Sequence, residues 1–98
     1  MKETVVDRYG NQIYLTDERW QHIADTHPYM IGYKDHLLQT LRTGRRKQDA
    51  LDSTKYKYYQ KFEDLEIGFN HVIVVVKCEI AKDNNFVLTA YQTFIYLR

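Results

Sequence analysis

The side chains able to move a proton or meet a phosphate are few and can be named at once. The chain of 98 residues holds four histidines (His22, His27, His36, His71), one cysteine (Cys78) and nine tyrosines. His27 can exchange a proton near neutral pH. Lys77, Arg46 and Lys57 can offset charge on a phosphorane-like transition state. Tyr91, Tyr59 and Tyr58 can stack on bases or donate hydrogen bonds, and Thr89 and Thr93 can bond phosphate oxygens. RNA carries its own nucleophile, the 2′-hydroxyl, so such a kit suffices for strand cleavage without a metal. Each residue also has a plainer explanation. A histidine before Pro28 suits a helix end, and tyrosine and threonine are good strand formers. Lys77 is harder to explain away, because a charge in mid-sheet needs a partner or solvent.

Other chemistries find little support. No two histidines share a close ligand spacing on one helix face, the four glycines are scattered, and one cysteine permits no intrachain disulfide. Neither a metal nor a cofactor is expected, and Cys78 reads as a core thiol. The first ten residues are charged and lack an apolar signal core. The longest apolar run, Val72 to Val76, is too short to span a bilayer. A cytoplasmic protein without a membrane partner is the expectation.

Hydrophobic residues make up 44% and charged residues 28%, a globular balance that fits one domain over residues 1–98. The net charge of +1 names no polyanionic partner. Its distribution says more. Arg42, Arg45, Arg46, Lys47, Lys55, Lys57 and Lys61 face only Asp49 and Asp52, a local balance of +5, before Glu63, Asp64 and Glu66 reverse the sign. That segment suits either a phosphate footprint or a solvated strand edge guarded by lysines.

These residues need elements to position them. Residues 3–16 predict a hairpin turning at Arg8, Tyr9, Gly10 and Asn11, two of which tolerate positive φ. Thr16 is a good N-cap with Asp17 and Glu18 in the first turn, and the helix should end by Thr26 because Pro28 disfavours helical geometry at His27. The apolar stripe Trp20, Ile23, Ala24 continues to His27, where the helix dipole favours a cation. A second helix is expected over residues 30–43, with Leu37, Leu38 and Leu41 inward and Gly44 as its C′ residue. Strands follow over 46–51 joined to 55–62, then 71–80 and 86–97, with a turn at 81–85.

Alternation then assigns faces. Lys55, Lys57, Tyr59 and Lys61 share one side of their strand. Val72, Val74, Val76, Cys78 and Ile80 form a wholly apolar face opposite His71, Ile73, Val75, Lys77 and Glu79. In the last strand Phe86, Leu88 and Ala90 alternate with Val87, Thr89, Tyr91 and Thr93. Keeping the polar sides together puts Lys57, Tyr59, His71, Lys77, Thr89, Tyr91 and Thr93 on one concave surface.

The run Glu18-Arg19-Trp20-Gln21-His22-Ile23-Ala24-Asp25-Thr26-His27-Pro28 resembles the opening helix of small phage and mobile-element proteins. The segments Val74-Val75-Val76-Lys77 and Phe86-Val87-Leu88-Thr89-Ala90-Tyr91-Gln92-Thr93 are similar to their later motifs, in matching order. The family is the phage-type branch of the barnase–EndoU–colicin–RelE-like nucleases. The resemblance implies an α+β fold: two N-terminal helices packed on a curved antiparallel sheet of about four strands. It implies an RNase-like face in which His27 is the general acid or base and Lys77 stabilises the transition state. Thr89, Tyr91 and Thr93 would position the phosphate and a neighbouring base. Arg46, matched by its place after the second helix, joins Lys57, Tyr59 and His71 as a substrate-binding residue.

The leading expectation is a metal-independent endoribonuclease acting on tRNA or mRNA, a toxin-type protein with a cognate antitoxin or immunity protein. A non-catalytic nucleic-acid- or protein-binding module of the same fold is the second. The third is a structural or regulatory protein whose tyrosine surface forms a homodimer.

Overall fold

The computed structural model describes residues 2–96 and forms two helices and one six-stranded mixed sheet. β1 (Lys2–Val6) and β2 (Gln12–Thr16) make the expected hairpin. Thr16 caps α1 (Asp17–Thr26) by accepting the Arg19 N–H at 3.1 Å. One 3-10 turn (Pro28–Met30) and then α2 (Lys34–Thr43) replace the single expected second helix. Gly32, at φ +90°, separates the two. The chain continues through β3 (Arg45–Gln48), β4 (Lys55–Lys61), β5 (His71–Glu79) and β6 (Asn84–Thr93). The expected last strand reached residue 97, which lies outside the described residues; β6 itself stops at Thr93.

The strand order is β1-β2-β6-β5-β4-β3. β3 to β6 form an antiparallel meander, and β2 adds to it in parallel through the single pair Tyr14 and Phe86. The sheet therefore has six strands rather than about four, because the N-terminal hairpin joins it instead of standing apart. Both helices pack on one face. Ile23, Met30, Leu37 and Leu41 bury against Val72, Val74, Val76, Tyr58 and Ala90, each fully withdrawn from solvent. Cys78 lies among them, and burial pushes its thiol pKa up.

Two further expectations need correction. An extra residue between the pairs Val75–Thr89 and Val76–Val87 bulges β6 and shifts its phase. Val87, not Phe86, shares the core with Ala90, while Phe86 lies opposite Lys77 on the outer face. Gly44 is no left-handed C′ residue, since its φ is −69° and ψ 161°. It is glycine because a Cβ there would collide with the carbonyl oxygens of Thr40 and Tyr59. Among the described residues no helix is long and apolar enough to cross a membrane.

Candidate functional site

Among the described residues no helix covers the side of β3–β6 turned away from α1 and α2. Direct cross-strand partners share a face, so the register reads this surface off. Thr89, Tyr91 and Thr93 of β6 lie opposite Val75, Ile73 and His71 of β5. Lys57, Tyr59 and Lys61 of β4 lie opposite those same three β5 residues. β3 adds Arg45 and Lys47 opposite Tyr59 and Lys57. The expected surface of Lys57, Tyr59, His71, Lys77, Thr89, Tyr91 and Thr93 is thus present as one face.

Its charge arrangement runs against sheet stability. Lys47 lies directly opposite Lys57, and Lys55 directly opposite Lys77. Like charges so placed repel and weaken a sheet. Lys77 is relieved: its Nζ donates to Thr54 Oγ1 at 2.6 Å and pairs with Asp52 Oδ2 at 3.4 Å. The Thr54 hydroxyl and backbone N–H, with Lys77 adding to them, hold the Asp52 pKa at about 2. Among the described residues no carboxylate pairs with Lys47, Lys55, Lys57 or Arg45. Edge protection requires lysines on an edge strand; it does not require one lysine facing another.

His27 and Lys77 do not meet. His27 ends α1 with its N–H on the Ile23 carbonyl at 2.8 Å. Its ring lies 5.8 Å from that of Tyr91, and its Nδ1 is 3.2 Å from the Tyr29 hydroxyl. Tyr91 is opposite Ile73, and four residues of extended strand, about 13 Å, separate Ile73 from Lys77. The structure therefore joins His27 to the Tyr91 end of the face and leaves Lys77 at the other, bound to the 52–54 loop.

At the Tyr91 end sits His71, 5% exposed, between Thr93 and Lys61. Burial and then the neighbouring Lys61 charge pull its pKa below the ordinary 6.5, leaving the ring neutral at pH 7. Two grooves flank Tyr59. One, of about 390 Å³, is bordered by Lys47, Lys57, Ile73 and Ile95; the other, of about 400 Å³, by Arg8, Arg45, Lys61 and His71.

Arg46 lies elsewhere. The register puts it opposite Tyr58, on the helix side of the sheet. Its guanidinium stacks between Tyr9 and Tyr56, 4.5 and 4.3 Å from their ring centroids, and donates to the Tyr58 hydroxyl at 3.4 Å. Tyr58, fully buried, donates in turn to Asp7 Oδ2. Burial and the Asp7 carboxylate push the Tyr58 pKa far up. Arg46 is not on the face with Lys57, Tyr59 and His71. Sequence reasoning did not foresee this network, although a tyrosine facing an apolar core needs a partner for its hydroxyl.

No three His, Cys, Asp or Glu side chains converge as a metal site among the described residues. The chain matches no family model, no curated protein and no solved structure.

Proposed function

We propose that the open face of β3–β6 binds RNA and cleaves it without a metal, the 2′-hydroxyl serving as nucleophile. The observation that carries this reading is Lys47 directly opposite Lys57, neither in an ion pair with a carboxylate, on a surface that no helix covers among the described residues. A sheet that places like charges opposite each other gains when a polyanion lies across them. Tyr59 and Tyr91 on the same face offer rings on which unstacked bases can lie. Two imidazoles at one end of the face, His27 and His71, can carry protons to and from the reacting oxygens. The finer fold reading belongs to the same proposal. Two helices preceding a four-stranded antiparallel meander suit the barnase–EndoU–colicin–RelE-like architecture, with the hairpin as an addition. A cytoplasmic toxin held in check by a cognate antitoxin is the role that fits it.

The test incubates the protein with tRNA and mRNA in EDTA and looks for fragments ending in 2′,3′-cyclic phosphate. His27→Ala and Lys77→Ala are run beside it. Fragments that form only with added metal, or form equally in both variants, remove the mechanism as stated. A second reading rests on the separation of Lys77 from His27: the face holds RNA without turnover. Salt-sensitive binding with no fragments is its signature.

A further inference from the structure

We propose that His71 is the proton acceptor of a phosphate site in the groove beside Arg8, Arg45 and Lys61, with Asn70 as the residue that fixes its tautomer. The catalytic half of this inference rests on the RNA-cleaving reading above; the binding half and the tautomer do not.

Asn70, just before His71, is clamped to the segment that follows β6. Its Oδ1 accepts the backbone N–H of Ile95 at 2.8 Å, and its Nδ2 donates to the Ile95 carbonyl at 2.9 Å. This paired contact leaves the side-chain amide only one orientation, because a flipped amide would set donor on donor and acceptor on acceptor. His71 Nδ1 lies 2.8 Å from that same Oδ1. An oxygen cannot donate here, so Nδ1 must carry the proton. In the neutral ring the lone pair is then on Nε2, the nitrogen left for chemistry.

The surroundings suit an acceptor rather than a donor. Burial and the Lys61 charge keep the ring from protonating at pH 7. The charged groups around it are Lys61 from β4, Arg45 from β3 and Arg8 from the β1–β2 turn, with Glu63 answering Lys61 at 3.7 Å. Thr93 stands opposite on β6, and Tyr59 closes one wall of the groove. Three cations around one neutral base form a place for a phosphodiester beside a hydroxyl. Nε2 takes the 2′-hydroxyl proton, and the freed oxygen forms a bond to phosphorus. The bond from phosphorus to the 5′-oxygen breaks, and that oxygen takes a proton from water. The products are a 2′,3′-cyclic phosphate, a 5′-hydroxyl and an imidazolium that returns its proton to solvent.

Nitrogen-15 spectra of the histidine rings at pH 7 test the tautomer directly. His71 should show a protonated Nδ1 and a bare Nε2, and Asn70→Ala should mix the two tautomers. A wild-type ring protonated at Nε2, or cationic, overturns the proposal. Titration with a nucleoside 3′-monophosphate should shift the His71 Nε2 signal and raise its midpoint, because a dianion arrives beside it. A signal that stays put while other residues respond overturns the site, whether or not RNA is cleaved. In the cleavage assay His71→Gln should lose at least about a hundredfold in rate, the usual contribution of a general base. Unchanged cleavage by a folded His71→Gln refutes the catalytic role, and the ring spectra decide the matter should that variant not fold. Absence of cleavage by the wild type, with the His71 response intact, sinks the nuclease reading and supports the phosphate site alone.

Discussion

The hydroxyl of Tyr58 donates to the carboxylate of Asp7 across 51 positions of sequence, tying the N-terminal hairpin to β4 inside the core. Asp7 also accepts the backbone N–H groups of Tyr9 and Asn11 and the Asn11 side chain, so it stitches its own turn at the same time. Burial alone would raise its pKa, but these hydrogen bonds outweigh burial and the net shift is downward from 3.8. The sign follows: this stabilisation is complete above pH 3.8 and is lost as pH falls through the lower folded value. Tyr58→Phe should cost about 1–3 kcal/mol in urea unfolding at pH 7, since it leaves a buried carboxylate short of a donor. It should also move acid unfolding to higher pH. An unfolding midpoint equal to wild type in both assays contradicts a stabilising bond.

His71 predicts a second pH effect, in a different window. Its folded pKa lies below the 6.5 of the unfolded chain, so between those values the unfolded state binds the extra proton. Stability must therefore decline as pH drops below 6.5, until the folded ring titrates as well. Chemical denaturation at pH 7 and pH 5 should show a larger loss for wild type than for His71→Gln. Parallel losses in the two proteins would mean that the ring titrates normally when folded.

How much of this was legible beforehand follows from which residues report on themselves. The Thr16 cap, the stop before Pro28 and the alternation of β4 and β5 are local patterns, and each appears where the sequence places it. So does the shared face of Lys57, Tyr59, His71, Thr89, Tyr91 and Thr93, because period-two alternation survives wherever the ladder is regular. The bulge at Val75/Val76 breaks that period, and nothing in the run Phe86-Val87-Leu88-Thr89 announces the extra residue. Arg46 stands apart from Lys57, Tyr59 and His71 for a related reason: the 49–54 loop, held by Asp49 and Asp52 on backbone N–H groups, fixes the phase of β3 against β4. The Asp7–Tyr58 bond and the Asn70–Ile95 clamp join distant segments, which single-sequence periodicity does not encode.

Gly44 sets two effects against each other. Its φ of −69° is open to any residue, so Gly→Ala by chain entropy alone would stabilise by about 0.4–1 kcal/mol. The new Cβ, however, would collide with the Thr40 and Tyr59 carbonyls, both backbone atoms that cannot swing aside. Overpacking of that kind costs about 1–3 kcal/mol and should win. Thermal melts of Gly44→Ala should therefore fall below wild type. A rise would mean that the α2 end and β4 separate easily.

Lys57 separates a face shaped by folding from one shaped by a ligand. It lies opposite Lys47 and forms no ion pair with a carboxylate among the described residues, so the like charge across the strand is not offset by a direct partner. Lys57→Gln removes the repulsion while keeping a long polar side chain. Unfolding in low salt should show a gain of about 0.5 kcal/mol, shrinking as salt screens the pair. RNA binding should move the opposite way. Affinity should drop for all sequences alike, and the slope of log affinity against log salt should lessen by about one unit. Stability and binding pulling apart at one residue is what a face strained for a polyanion requires. A variant that loses stability, or that binds RNA with an unchanged salt slope, shows that the lysines serve the sheet itself.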